Sequence, residues 1–232
     1  MTATHWVVAL LSTLTAEELL SRSIAYHDPD GHWDRGAFTI TLGGSRPDGS
    51  KKHTVLRLDN ARSRFEVERE LPDGRTMEAA VANDTVEVRL DGKAEISAAD
   101  TERYRLSPEQ LLRTRDFYLY VFGVPMKLRD PGTRLAPEAK ETSFQGEPAY
   151  ELRVTYDESV GSDTWYFYLD RETFALVGYR FYHDETARDG EYVVLTGTTS
   201  GQGLTLPRER KWYRHQDDGH VATDIVESIS AR

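Results

Sequence analysis

The chain predicts an α+β fold that is mainly β: one large, curved antiparallel sheet with two helices laid against its concave side. Three observations carry that expectation. Runs of alternating apolar residues recur at short spacing from Ala37 to Ile229 and are joined mostly by tight turns. Only two segments announce helices with start signals. No composition shift or long linker divides the 232 residues, a length that suits one large domain. Residues 15–232 therefore read as a single domain behind an apolar segment, residues 1–14.

That first segment holds an apolar run from Trp6 to Leu11, too short to span a bilayer. No Lys or Arg precedes Arg22, and Leu14-Thr15-Ala16 is a poor cleavage site. A degenerate or truncated export signal, an ordered apolar arm and a disordered tail are the alternatives. The first helix is announced at Leu14-Thr15-Ala16-Glu17-Glu18-Leu19, where Thr15 and Glu18 cap each other's amides and Leu14 staples to Leu19. It starts at Ala16 and stops near His27, before Pro29.

Strands follow. Phe38, Ile40 and Leu42 share a face, as do Leu56 and Leu58; Phe65, Val67 and Leu71 lead through Pro72-Asp73-Gly74 to Met77, Ala79 and Val81. Asn83-Asp84 turns the chain into Val86, Val88 and Leu90. The second helix repeats the first device at Ser107, with Pro108 at its first position, where the missing N–H costs nothing. It runs toward Val124 and ends at Pro125. Its second half, Phe117 to Phe122, is apolar all round and needs cover on every side. Strands resume at Glu141 to Phe144, then at Tyr150 to Tyr156 after a turn at Gln145-Gly146-Glu147-Pro148. Further strands are read at Glu191 to Thr198, Leu206 to His215 and Val221 to Ile229.

At the middle of this sheet lies an aromatic hairpin, Thr164 to Leu169 and Leu176 to His183, broken by Asp170-Arg171-Glu172-Thr173. Alternation sends Trp165, Phe167 and Leu169 one way and Tyr166 and Tyr168 the other. Val177, Tyr179, Phe181 and His183 share a face in the second strand. Pairing Leu169 with Ala175 places that face with Trp165 and Phe167, whereas a slip of one residue would exchange the faces.

A net charge of −10 argues against nucleic acid, which needs a clustered basic face. With no cysteine, disulfides, thiolate nucleophiles and zinc-thiolate sites are excluded. There is no G-x-S-x-G or S-x-x-K. Glu17-Glu18 and Asp217-Asp218 sit at caps or turns, where carboxylates are solvated. Gly197 to Gly203 has no following helix to make an anion site. No catalytic residue, metal ligand or cofactor is assigned.

The order of amphipathic helix, strand meander, inserted aromatic helix and second meander resembles the LolA/LolB type of bacterial lipoprotein carrier. The segments SIAYHDPDGHW, RDFYLYVFGVPMKLRDPGT and GSDTWYFYLDRETFALVGYRFYHDE resemble blocks of an uncharacterised secreted family of that superfamily. The resemblance implies an unclosed β-barrel whose apolar interior receives acyl chains, and a periplasmic or otherwise secreted protein. Carried onto this chain, it implies a lining of Phe117, Tyr120 and Phe122 from the helix and Trp165, Phe167, Tyr179 and Phe181 from the sheet. The implied partners are a hydrophobic small molecule or acyl chain, with a lipoprotein or membrane surface as the source.

The reading of function is accordingly non-enzymatic binding and transport of a hydrophobic ligand between the aromatic sheet and the inserted helix. The alternative is a metal-dependent hydrolase built on the repeated tripeptide Tyr26-His27-Asp28 and Tyr182-His183-Asp184, with His32 and Asp34 nearby; helix-end and turn hydrogen bonding is the plainer job for these residues and the preferred one. A protein whose own side chains fill its interior is the third.

Overall fold

The computed structural model describes residues 14–83 and 85–232, so the apolar run Trp6 to Leu11 and its export-signal reading lie outside the described residues. The chain begins with α1 (Ala16–His27), α2 (His32–Arg35) and a meander of β1 (Ala37–Ser45), β2 (Thr54–Asp59), β3 (Arg64–Glu70), β4 (Thr76–Ala82) and β5 (Thr85–Leu90). Two more helices follow, α3 (Ala98–Tyr104) and α4 (Pro108–Gly123). The second meander comprises β6 (Thr133–Leu135), β7 (Lys140–Phe144), β8 (Glu147–Tyr156), β9 (Thr164–Asp170), β10 (Leu176–Tyr182), β11 (Glu191–Gly201), β12 (Leu204–Arg214) and β13 (His220–Ala231).

All thirteen strands form one antiparallel sheet in the order β5-β4-β3-β2-β1-β13-β12-β11-β10-β9-β8-β6, with β7 also on β8. The first and last strands pair, Phe38 opposite Ala231 and Ile40 opposite Ile229, which joins the two meanders into one surface. Its edges, β5 on one side and β6 with β7 on the other, do not pair with each other. The result is the unclosed half-barrel. An open edge presents unpaired backbone groups, and α4 lies between the two edges. It packs against β4 and β5 on one side, while Tyr120 meets Tyr156 of β8 and Trp165 of β9 on the other.

Both long helices start where the capping signals put them. Thr15 accepts from the Glu18 amide at 3.2 Å and Glu18 accepts from the Thr15 amide at 2.8 Å. Ser107 accepts from the Gln110 amide at 3.3 Å. α1 buries Leu19 and Leu20, and α4 buries Leu111, Val121 and Phe122, against inward residues such as Ile40, Leu56, Phe65, Met77 and Val81. Two short helices were not expected. In α3, Ser97 caps the Asp100 amide at 3.1 Å; in α2, the Asp28 carboxylate accepts from the His32 and Trp33 amides at 2.6 and 2.9 Å.

The central hairpin keeps its expected faces but not its expected register. Leu169 pairs with Leu176 rather than Ala175, and a bulge between Leu176 and Gly178 shifts the ladder again, so Phe167 faces Tyr179 and Trp165 faces Phe181. The total displacement is two residues, which preserves the face. The cause is the loop: Asp170 accepts from the Glu172 and Thr173 amides at 3.1 and 2.7 Å, and Phe174 turns at φ 62 before the strand resumes. Val177, expected beside Tyr179, sits at the bulge and packs on the opposite face with Phe144, Ala149 and Tyr168. The turn expected over residues 145–148 is likewise tighter, with Gln145 and Gly146 at φ 52 and 88 and Glu147 already in β8.

Gly178 is required by this second cluster. A Cβ there would stand 2.1 Å from Cε1 of Phe144 and 2.8 Å from the Val193 carbonyl oxygen. Gly178→Ala is therefore expected to lower stability by about 1–3 kcal/mol through overpacking, measured by urea unfolding. An unchanged midpoint would mean that Phe144 swings clear without loss.

Candidate functional site

The site is built where α4 meets the second meander. Helical spacing puts Arg113, Asp116, Leu119 and Tyr120 along one flank of α4. Opposite them, β8 ends at Tyr156 and β9 begins near Trp165, after the connecting residues Val160 to Asp163. Between these walls and the Lys127 to Asp130 turn opens a cleft of about 970 Å³. Its floor is aromatic: Tyr120 and Trp165 meet edge to face with centroids 5.0 Å apart, and the Tyr120 and Tyr156 hydroxyls share a hydrogen bond. Burial raises both phenols, Tyr156 to about 12 and Tyr120 well above its ordinary value, so both stay neutral at physiological pH. Leu119 and Val160 add apolar surface. The rim is charged. Lys127 pairs with Asp130, Arg113 with Glu109 at 2.8 Å, and Asp163 accepts from His183 Nδ1 at 2.8 Å, which raises the His183 pKa.

The seven expected lining residues divide into three groups. Tyr120 and Trp165 line the cleft. Phe181 is half-buried and stacks on Trp165 at 4.7 Å, while Phe117 is 48% exposed and leans on Trp212 at 5.9 Å. Phe122, Phe167 and Tyr179 are fully buried and form the packed wall behind the cleft. Sequence reasoning missed Leu119, Tyr156 and the charged rim. The helical stripe Arg113, Asp116, Tyr120 was available as a signal, but its counterpart across the cleft depends on how α4 docks.

A smaller depression of about 340 Å³, lined by Trp33, Asn60 and Phe65 among others, lies across α4 and shares Asp116, Leu119 and Lys127 with the cleft. The Asp116 to Leu119 ridge separates the two.

The two Tyr-His-Asp copies do not meet. His27 is buried at the end of α1, its Nδ1 donating to the Thr205 carbonyl at 2.6 Å and its Nε2 accepting from the Leu176 amide at 2.9 Å. Leu176 opens β10, and His183 follows its last residue. Seven residues of strand separate them, roughly 23 Å. Asp28 is occupied in capping α2 and His183 in binding Asp163. Among the described residues, no three His, Cys, Asp or Glu side chains cluster as a metal site. Nothing in this geometry supports the hydrolase alternative, whose histidines the fold uses for backbone and surface bonding instead.

Behind the wall lies a buried cation that the sequence reading passed over. Arg210 of β12 is 2% exposed, and its guanidinium carbon lies 4.2 Å from the Phe122 ring centroid.

Solved structures share this fold at low identity. A LolA superfamily protein of Nitrosomonas europaea matches over 95% of this chain and 94% of its own, with a TM-score of 0.56 and 14% identity. A DUF1329 family protein of Desulfovibrio piger matches over 93% and 91%, with a TM-score of 0.52 and 10% identity. The half-barrel is thus LolA-like, as the sequence resemblance implied. No curated protein matches the sequence significantly. Residues 8–228 match DUF6503, described as a family of unknown function, and the chain belongs to that family.

Proposed function

We propose that this protein binds and carries a hydrophobic, acyl-chain-like ligand in the cleft between α4 and the aromatic hairpin, without chemistry, outside the cytoplasm. The observation that carries the reading is the cleft itself. Its volume of about 970 Å³ lies at the upper end of the roughly 300–1,000 Å³ usual for ligand sites. An aromatic floor inside a charged rim suits a guest with a long apolar part and a polar end. A sixteen-carbon chain transferred from water contributes on the order of 10 kcal/mol before the costs of association. The LolA-like fold is consistent with such a role and with work in the periplasm or another secreted compartment, where a lipoprotein or membrane surface would supply the ligand. Because α4 lies between the two open edges of the sheet, its outward movement is the proposed route of loading and release.

Delipidated protein is expected to bind a fluorescent fatty acid in a saturable titration. Trp165→Ala removes the largest ring of the floor and is expected to weaken binding about ten- to hundredfold, in line with roughly 1.5–3 kcal/mol for one large apolar side chain. Leu119→Asp and Phe181→Asp are expected to act in the same direction while circular dichroism stays unchanged. Wild-type affinity in all three variants would refute this site.

A further inference from the structure

Arg210 poses a physical problem that the fold alone does not solve. Among the described residues, no other Lys or Arg is buried. Its Nη1 donates to the Pro207 carbonyl at 2.7 Å, but its Nε has no carbonyl or carboxylate to donate to, nor has the hydroxyl of buried Tyr179, which meets the guanidinium alone. The nearest carboxylate in the ladder, Asp224, sits opposite Arg210 on β13 but is engaged elsewhere, with Lys52 Nζ at 2.5 Å and Trp212 Nε1 at 2.9 Å. Burial accordingly pulls the Arg210 pKa down. A buried charge without a counterion is strongly unfavourable, yet here, among the described residues, the only side-chain polar group beside the guanidinium is the neutral hydroxyl of Tyr179, in an otherwise apolar wall.

That wall adjoins the cleft. Trp165 lines the cleft, Tyr179 lies 5.9 Å behind it between ring centroids, and the guanidinium lies beside Tyr179. Phe122, which covers the guanidinium, belongs to α4, as does Tyr120 of the cleft floor. Outward movement of α4 would open both at once.

We propose that Arg210 and Tyr179 form the headgroup site for a long-chain carboxylate whose tail occupies the cleft. This rests on the carrier reading above and deepens it. The guanidinium Nε–H and the Tyr179 hydroxyl donate to the carboxylate, while Nη1 keeps its bond to Pro207. A guanidinium fork matches a planar carboxylate, and charge-assisted bonds of this kind are the strong ones. Charge selects the class: one guanidinium balances one carboxylate, whereas a phosphate monoester carries about −1.5 to −2 at neutral pH.

Hexadecanoate, hexadecanol and hexadecyl phosphate are to be titrated against a fluorescent acyl probe bound to delipidated protein at pH 7.5. Wild-type protein is expected to bind hexadecanoate about tenfold or more tightly than hexadecanol, the scale of hydrogen bonds to a charged group. Arg210→Met is expected to erase that preference while hexadecanol affinity changes less than about threefold. Tyr179→Phe, which keeps the ring, is expected to reduce the preference by a smaller factor, so the site remains testable if the methionine variant folds poorly. Equal binding of acid and alcohol by wild type, or an unchanged preference in both variants, overturns the headgroup site and leaves the carrier reading standing. A preference for hexadecyl phosphate overturns the carboxylate assignment. Failure of all three ligands to bind overturns the carrier reading, and the headgroup site with it.

Discussion

Lowering the pH from 7 to 4 is expected to remove about 3 kcal/mol of folding stability through a single imidazole, His27. The ring is locked as one neutral tautomer, with Nδ1–H donating to Thr205 and Nε2 accepting from the amide of Leu176. A second proton at Nε2 would set two donors against each other. Burial, with a smaller contribution from the charge of Arg210, depresses the His27 pKa from 6.5 to about 4. Between these values the unfolded chain binds a proton that the folded chain does not, so stability rises with pH across the window and falls on acidification. His183 acts in the opposite sense, because Asp163 raises its pKa, but it is largely exposed and its contribution is screened. The informative quantity is therefore a difference between proteins. In urea unfolding at a series of pH values, His27→Leu is expected to lose the slope that His27 supplies between pH 6.5 and 4. At pH 7 the same variant is expected to be about 3–5 kcal/mol less stable, because the Leu176 amide and Thr205 carbonyl are left buried and unpaired. His27→Gln, which restores an acceptor, should recover part of that loss. Equal slopes in wild type and His27→Leu would show that this imidazole does not control the acid limb.

His27 also marks the boundary of what was legible beforehand. The residue stands out for a repeated tripeptide, which reads first as helix-end hydrogen bonding and only alternatively as a metal site; which backbone groups it staples, in β10 and β12, depends on tertiary contacts across 149 and 178 residues. Local rules did better where the cause is local. Thr15 with Glu18 and Ser107 with Pro108 start their helices as read, because a cap is decided within four residues. Alternation sorted Trp165, Phe167, Tyr179 and Phe181 onto one face, because side-chain direction has period two. Register was not legible, because the Asp170 turn and the bulge at Val177 each shift the pairing. Seven aromatic residues read as a lining by residue type, but only Tyr120 and Trp165 of them border the cleft, and the split between cleft floor and filled wall follows from how closely α4 docks. Arg210 was hidden most completely. It stands in Arg208-Glu209-Arg210-Lys211, which reads as a solvated polar run, and only its pairing row with Leu195 and the cover of Phe122 bury it.

Phe122→Ala is expected to destabilise the protein by about 3–5 kcal/mol, the range for deleting a buried phenyl group, and its cost is expected to depend on Arg210. Phe122 is 2% exposed, stacks against Tyr118 at 6.2 Å and covers the guanidinium at 4.2 Å. The substitution removes apolar burial, leaves a hole beneath α4 and deletes a desolvated cation–π contact of about 2 kcal/mol. Water entering the hole would rehydrate the guanidinium and offset part of the loss, which favours the lower half of the range. Arg210→Met should act in the opposite direction. It removes an unpaired buried charge, a change that often leaves stability unaltered or raises it by about 1–4 kcal/mol, against roughly 1 kcal/mol for the lost bond to Pro207. In the Arg210→Met background, Phe122→Ala should cost about 1–2 kcal/mol less than in wild type, because the cation–π contact is already gone. A strictly additive double-mutant cycle would mean that ring and guanidinium are neighbours without coupling. A loss greater than about 2 kcal/mol in Arg210→Met alone would exceed its single backbone bond and make Arg210 a structural tie. A stable Arg210→Met protein would instead mean that the fold retains a charge it does not need, and that the need lies with what binds there.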